Sequence, residues 1–217
     1  YVDTDNKFGD GANTIYLKAD YTSSNSKSLS TDISALTDTD IKKYKNMNPS
    51  WTEQRGIVEK NDWRYSEKAA AWLCSPSQWQ YYLDDSKAVY AIGGPSIEMY
   101  VASYNDVAHI KGNYTLGAKY DKDSEGYIYT LDGKQSTISK NNYKTGDGTL
   151  DDDKYNAMYS PHSMWLCSPS YGHSYDINYV CLVSGYFANL SSEYYYNTES
   201  ICPIISLKSG IQVEVEE

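Results

Sequence analysis

The chain has 217 residues and a formal net charge of −10 at pH 7, and its aromatic residues are 24 Tyr, 5 Trp and 2 Phe. This length suffices for one large domain or two small ones with a sizeable buried core. The acidic balance argues against nucleic acid and anionic membranes as partners, because both require clustered Lys and Arg, and no apolar run approaches the length of a membrane span.

Residues 1–32 are polar and rich in Ser, Thr, Asp and Asn. We interpret them as an N-terminal extension with one strand-like run at Thr14–Lys18, followed by a main domain over 33–217. The first predicted element of that domain is a short helix over 38–46. Thr37 can cap this helix, acidic residues occupy its first turn, and a proline follows its last turn.

Two further helix starts follow. Ser75-Pro76-Ser77-Gln78 matches a capping box with Pro at the first helical position. Gly93-Gly94-Pro95 precedes apolar residues at the helical spacing i, i+3, i+4 and i+7, which are Ile97, Tyr100, Val101 and Tyr104. This spacing predicts an amphipathic helix over 95–105 with one face in the core.

From Asn113 onward, short runs broken by turn residues predict strands. Tyr127–Thr130 leads toward an Asp-Gly turn of the hairpin type. Later strand-like runs are Tyr179–Val183, Tyr186–Leu190, Ile201–Leu207 and Ile211–Val215. Helices followed by strands predict an α+β fold.

The hexapeptide WLCSPS occurs twice, at Trp72–Ser77 and Trp165–Ser170. A duplicated unit should be similar over a whole supersecondary element, but the flanking residues differ, so we favour coincidence or local convergence. The four cysteines permit two disulfides in three connectivities. Isolated buried thiols and a single disulfide both remain open, and no zinc-binding spacing occurs among Cys74, Cys167, Cys181 and Cys202.

The segment from Tyr171 to Tyr196 is the most informative part of the sequence. It holds seven Tyr with Ser, Asn, Asp, Gly and His, and it contains no Lys or Arg. This composition is typical of binding surfaces, because Tyr offers large rigid contact area and the small polar residues offer adaptable hydrogen bonds. The alternative is a Tyr-rich β-sheet without a ligand, since Tyr is also a good strand former.

Catalytic chemistry has little support. The histidines are His109, His162 and His173, and a Cys167/His173 dyad separated by a loop is not a recognised nucleophilic arrangement. We therefore expect no enzymatic activity, no catalytic residue and no cofactor.

A weak calcium candidate begins at Asp121. The acidic residues alternate and a glycine stands at the turn, as in a calcium loop, and the candidate ligands are Asp121, Asp123, Glu125 and Asp132. The flanking residues predict strands and not the helices of such a loop, so an acidic hairpin turn without metal is the alternative that we favour.

Three stretches carry a resemblance to a known family. They are Tyr90–Asn105, Met164–Ser170 together with the Tyr-rich segment, and Ile201–Gly210. In this order they resemble the secreted part of prepilin-like proteins of gut Firmicutes, of the type II secretion or type IV pilin type. The C-terminal pattern is similar to that of the formylglycine-generating-enzyme type of C-type lectin fold.

The resemblance implies an α+β, C-type-lectin-like domain with helices N-terminal and a Tyr-rich antiparallel sheet C-terminal. The same fold serves the variable proteins of diversity-generating retroelements, whose hypermutated positions favour Tyr, Asn, Ser, Asp and His. On this basis the candidate ligand-binding residues are Tyr171, His173, Tyr175, Asp176, Asn178, Tyr186, Tyr194, Tyr195, Tyr196 and Asn197.

The resulting hypothesis is an extracellular, cell-surface adhesin head. The sequence has no initiator Met and no signal peptide, so we expect an anchor or pilin helix to precede it. The expected partner is a protein or glycan on a host or bacterial surface, with further pilin subunits as additional partners and with no nucleic acid or membrane contact. The rivals are a structural pilin or pseudopilin subunit without its own ligand and an enzyme of the formylglycine-generating type.

Overall fold

A computed structural model of the chain describes residues 2–4, 6, 8–19, 26–49, 51–52, 60–82, 88–100, 114–121, 126–131, 134–139, 162–170, 178–183 and 190–207. In these ranges the chain is a mixed α+β protein with few helices, as the order of sequence patterns predicts. No helix within them is both long and apolar enough to cross a membrane.

Three α-helices have complete bounds in the described part of the chain, and two 3-10 helices accompany them at Lys60–Asp62 and Gln80–Tyr82. The α-helices are α1 (Asp38–Met47), α2 (Tyr65–Leu73) and α3 (Pro76–Trp79). The helix starts predicted at Thr37 and at Ser75-Pro76 are confirmed. Thr37 and Asp40 form a reciprocal capping box on α1, and Ser75 caps α3 by accepting from the Gln78 N–H at 3.3 Å.

The helix expected over 95–105 begins at Ile97. The Ser96 side chain caps it by accepting from the Met99 N–H at 3.3 Å. Every side chain of its first turn is buried, including Glu98, so this turn does not show the single buried face that the spacing predicts. Residues 101–105 lie outside the described residues.

The described residues form twelve strands, which are β1 (Val2–Asp3), β2 (Thr14–Lys18), β3 (Ser26–Lys27), β4 (Ala88–Ile92), β5 (Tyr114–Asp121), β6 (Gly126–Leu131), β7 (Lys134–Ser139), β8 (Met164–Pro169), β9 (Tyr179–Val183), β10 (Leu190–Tyr194), β11 (Glu199–Ser200) and β12 (Ile204–Leu207). The predicted strands Thr14–Lys18 and Tyr179–Val183 are confirmed to the residue. The predicted run Tyr127–Thr130 lies inside β6.

Two predicted runs near the C-terminus differ in extent from the observed strands. The run Ile201–Leu207 narrows to β12, because Pro203 has no N–H to donate to a sheet. Instead the Pro203 carbonyl accepts from the Ala19 N–H at 2.7 Å. Of Tyr186–Leu190 the structure describes Leu190 alone, which begins β10, and Ile211–Val215 lies outside the described residues.

The strands form three sheets. The order β1-β2-β12-β4 makes the first, which is antiparallel throughout. The order β10-β9-β8-β11-β3 makes the second, which is antiparallel except for the parallel pair β8–β11. The third is the antiparallel meander β5-β6-β7. The C-terminal sheet is therefore mixed and not the purely antiparallel sheet that the resemblance implies.

Helix α2 packs on β8 and β9 and closes one side of the core. Strand β9 is the inner strand between β8 and β10, and Val180–Val183 are buried on both of its faces. The largest fully buried side chains are Trp165, Tyr100, Phe8, Met47 and Leu73. Part of the N-terminal 32 residues contributes to this core and, through β1, β2 and β3, to two of the sheets.

Asp40 connects α1 to α3. Its Oδ1 accepts from Ser75 Oγ at 2.7 Å and from the Ser77 N–H at 3.0 Å. Its Oδ2 accepts from the Thr37 N–H, Thr37 Oγ1 and Ser77 Oγ, each at 2.7 Å. Burial alone would raise the pKa of this carboxyl, but the hydrogen bonds from Ser77 and Thr37 outweigh it and lower the pKa to about 2.

Asn48 and Ser168 connect α1 to β8. The Asn48 side-chain amide donates to the Cys167 carbonyl at 2.9 Å, and its oxygen accepts from Ser168 Oγ at 2.6 Å. Ser168 Oγ in turn accepts from the Ile97 N–H at 2.9 Å. The second WLCSPS copy is thereby joined to the end of α1 and to the helix that begins at Ile97.

The two WLCSPS copies adopt different conformations. The first ends α2 and starts α3, whereas the second forms most of β8. This difference agrees with our interpretation that they are not halves of a duplication. Both copies nevertheless lie against the Gly93-Gly94-Pro95 turn, because the Gly93 N–H donates to the Leu73 carbonyl at 2.7 Å and the Cys167 N–H to the Pro95 carbonyl at 2.8 Å.

All four cysteines are free and buried. Cys74 and Cys167, one from each hexapeptide, lie close enough that Cys74 affects the pKa of the Cys167 thiol, while the Cys74 thiol donates to the Ala71 carbonyl at 3.8 Å. Burial, together with Cys74, raises the pKa of the Cys167 thiol well above its ordinary value.

The proximity of Cys74 and Cys167 predicts the disulfide pairing. When the chain is refolded with oxidised glutathione, we expect Cys74 to join Cys167, while Cys181 and Cys202 remain thiols. Peptide mapping without reduction should identify the pair, and Cys181→Ser should leave it unchanged. A cross-linked peptide that contains Cys181 or Cys202 would contradict the expectation.

Candidate functional site

Five tyrosine rings form a continuous cluster, which we call the tyrosine ladder: Tyr65, Tyr179, Tyr194, Tyr195 and Tyr196. Tyr179 and Tyr194 are register partners on β9 and β10, with ring centroids 4.3 Å apart. Tyr196 stacks on Tyr194 at 5.0 Å and meets Tyr195 edge-on at 5.3 Å. Tyr65, from the start of α2, stacks on Tyr195 at 5.8 Å. Three of these spacings lie in the usual range of favourable aromatic pairs, and the Tyr179–Tyr194 spacing is slightly shorter.

Backbone hydrogen bonds fix the ladder to the sheet. The Tyr195 N–H donates to the Asn178 carbonyl at 3.1 Å, and the Tyr195 carbonyl accepts from the Leu29 N–H at 2.7 Å. A turn closes when the Asn197 N–H donates to the Tyr194 carbonyl at 2.9 Å. The backbone at Tyr195 and Tyr196, which follow β10, is therefore held in place by hydrogen bonds.

The ladder is open to solvent at two of its rings. Tyr196 is 55% exposed and Tyr65 is 45% exposed, while the other three rings are half-buried. Tyr195 packs on the hydrophobic core. Tyr195 thus anchors the ladder to the core, while Tyr65 and Tyr196 expose ring surface. A ligand that covered these two rings would remove apolar area from water.

The charged groups beside the ladder are mainly acidic. Glu193 precedes Tyr194 and accepts from its N–H at 2.9 Å. Burial and the nearby Glu193 carboxylate raise the pKa of Glu199. One cation is also present, because Lys68 Nζ lies 5.3 Å from the centroid of the Tyr65 ring.

The structure brings part of the predicted site together. Tyr194, Tyr195 and Tyr196 lie in the ladder, and half-buried Asn178 and Asn197 supply the backbone groups that hold it. Five predicted ligand-binding residues lie outside the described residues: Tyr171, His173, Tyr175, Asp176 and Tyr186. Tyr65 was not predicted, because no pattern within α2 separates an exposed Tyr at the helix start from an ordinary surface residue.

The calcium candidate is described only at its edges. Asp121 ends β5 and Gly126 begins β6, which confirms that strands flank the acidic turn. Asp123, Glu125 and Asp132 lie outside the described residues. Over the ranges that the structure covers, no group of three or more His, Cys, Asp or Glu side chains could hold a metal ion.

The imagined catalytic dyad cannot be assembled from described residues. Cys167 is buried in β8, while His173 and His109 lie outside the described residues. His162 is described and lies exposed just before β8.

The tyrosine ladder is therefore the arrangement that best fits a binding site in the described part of the chain. No protein-family model, curated protein or solved structure matches this sequence.

Proposed function

We propose that the chain is the ligand-binding head of a cell-surface protein and that the tyrosine ladder is its binding face. The observation that carries this proposal is the continuity of the ladder, in which contacting rings from α2, β9, the end of β10 and the turn after it include the exposed rings of Tyr65 and Tyr196. An exposed aromatic surface held rigidly by secondary structure loses little conformational entropy when a ligand binds.

The proposed fold is a C-type-lectin-like domain with the ladder on its final mixed sheet. The mixed α+β architecture supports this assignment, as does the position of β9, which carries Tyr179, beside β8. The ligand class we propose is a glycan or a protein surface, because Tyr rings offer apolar faces and a hydroxyl for hydrogen bonding.

A structural pilin subunit would use the same surface differently, burying the ladder against a neighbouring copy. Sedimentation in solution would distinguish the two functions. A binding head should sediment as a monomer and retain the exposed ladder, whereas a subunit that buries Tyr65 and Tyr196 should self-associate as concentration rises.

Replacing Tyr196 by Ala tests the binding face. The ring is more than half exposed, so we expect affinity to fall roughly 10- to 100-fold, as for truncation of an aromatic hot spot, while the melting temperature changes little. Binding should be measured on a glycan array and on intact bacterial and epithelial cells.

Two other tyrosines serve as comparisons. Tyr81→Ala is the matched control, since Tyr81 is 85% exposed and is not one of the ladder rings. Tyr195→Ala should instead lower the melting temperature, because that ring packs on the core. Equal binding by the Tyr196→Ala and Tyr81→Ala variants would show that the tyrosine ladder is not the binding face.

A further inference from the structure

Lys43 and Asp10 form a partly buried ion pair between α1 and the segment that joins β1 to β2. Lys43 Nζ lies 2.6 Å from Asp10 Oδ1 and 2.5 Å from Oδ2, and it also donates to the Phe8 carbonyl at 3.2 Å. The amine therefore contacts both oxygens of the carboxyl group. The Lys43 side chain is 6% exposed and the Asp10 side chain 19% exposed.

The two oxygens of Asp10 have unequal surroundings. Tyr16 and Tyr90 both donate their hydroxyl protons to Oδ2, so that Oδ2 receives three donors and Oδ1 receives Lys43 alone. Three donors withdraw electron density from the C–Oδ2 bond and supply protons at that oxygen. Oδ2 is thus prepared to leave the carboxyl carbon as water.

Aromatic groups surround the amine. Phe8 and Tyr16 are fully or almost fully buried, they meet edge-on at 5.8 Å, and Lys43 Nζ lies 4.4 Å from the centroid of the Tyr90 ring. Water is largely excluded from the amine, although the partly exposed Asp10 leaves an exit for a small product.

The surroundings also favour the reactive protonation states. Burial lowers the pKa of Lys43, although Asp10 opposes this shift, and a neutral amine is the nucleophilic form of lysine. Burial, with the Asp10 carboxylate, raises the pKa values of Tyr16 and Tyr90. Both phenols therefore stay protonated and act as donors to Oδ2.

We propose that Lys43 and Asp10 condense within the folded chain to form an isopeptide bond. Lys43 first transfers a proton to Asp10, which leaves a neutral amine facing a carboxylic acid. The Nζ lone pair then forms a bond to Cγ, and the resulting tetrahedral centre loses Oδ2 as water when the C–Oδ2 bond breaks.

The step balances without a co-reactant. One ammonium and one carboxylate become one secondary amide and one water molecule, and nothing is oxidised or reduced. Two of the three ammonium protons leave with Oδ2, either directly or through the Tyr16 and Tyr90 hydroxyls. The remaining N–H is placed to keep the hydrogen bond to the Phe8 carbonyl.

Mass spectrometry of the purified, denatured chain tests this directly. The intact mass should be lower than the sequence mass by one water molecule. A protease digest should contain one branched peptide that joins the segment around Asp10 to the segment around Lys43, with no tryptic cleavage after Lys43. A full sequence mass together with cleavage after Lys43 would overturn the proposal.

Lys43→Arg is the matched variant, because its guanidinium keeps the charge and can pair with Asp10 but is not a nucleophile under these conditions. It should show its full sequence mass. Tyr90→Phe keeps both reacting groups and removes one donor from Oδ2, so water loss after refolding should be several-fold slower than in the unsubstituted chain. The digest of the unsubstituted protein decides the question even if either variant fails to fold.

Discussion

Replacing Asp40 by Ala should lower the free energy of unfolding by about 3–5 kcal/mol, since five hydrogen-bond donors, including the buried Ser75 hydroxyl, lose one charged acceptor at the same time. Asp40 is 1% exposed and accepts five hydrogen bonds, from both groups of Thr37, both groups of Ser77 and the hydroxyl of Ser75. The loss removes the N3 half of the α1 capping box and the side-chain hydrogen bonds that join α1 to α3. Denaturant unfolding followed by circular dichroism would measure the change.

Asp38→Ala provides the comparison within the same helical turn. Asp38 is exposed and interacts mainly with the positive end of the α1 dipole, so its loss should cost less than about 1 kcal/mol. If the two variants lost similar stability, the hydrogen-bond network of Asp40 would not be the cause.

The same carboxyl gives the protein an acid-sensitive component of stability. The folded-state pKa of Asp40 is about 2, below the ordinary 3.8, so folding favours the ionised form. Its contribution, roughly 2 kcal/mol, is complete above the unfolded pKa and is lost as pH falls through 3.8 toward 2. Unfolding measured from pH 5 to pH 2 should show this slope, and Asp40→Asn should flatten it.

A methyl group at Gly94 is the second large perturbation. It would lie 2.7 Å from the carbonyl oxygen of Trp165, and this neighbour is backbone of β8 that cannot rotate away. We expect Gly94→Ala to destabilise the chain by about 2–3 kcal/mol through overpacking. The melting temperature and the denaturation midpoint should both fall.

Val89→Ala, in β4, is the control for Gly94→Ala. Val89 is 62% exposed, so its truncation should change stability by no more than about 0.5 kcal/mol. A Gly94→Ala variant as stable as Val89→Ala would show that β8 can move away from the turn at low cost.

Local chemistry allowed several elements to be predicted from sequence. The Thr37 cap, the Ser75-Pro76 start and the strands Thr14–Lys18 and Tyr179–Val183 each depend on residues close together in the chain, and the structure has all of them. The interactions behind these elements act within one helical turn or one strand, so the local sequence is enough to predict them.

Pairing partners could not be predicted in the same way. Nothing near Tyr65 indicates that it stacks on Tyr195, and nothing near Asp10 indicates that it pairs with Lys43. Such contacts depend on how distant elements pack, and packing overrides local propensity. The same reason explains why the candidate site was located at Tyr194–Tyr196 while its contribution from α2 was missed.

The position of β12 in the first sheet affects how the chain is made. The N-terminal strand β2 and the later strand β4 are not neighbours, since β12 lies between them and pairs with both. During synthesis, therefore, the edge of β2 and the edge of β4 that pair with β12 stay unpaired until residue 207 has left the ribosome. Unpaired edges are templates for other chains, so slow translation or crowding before that point should favour aggregation over folding.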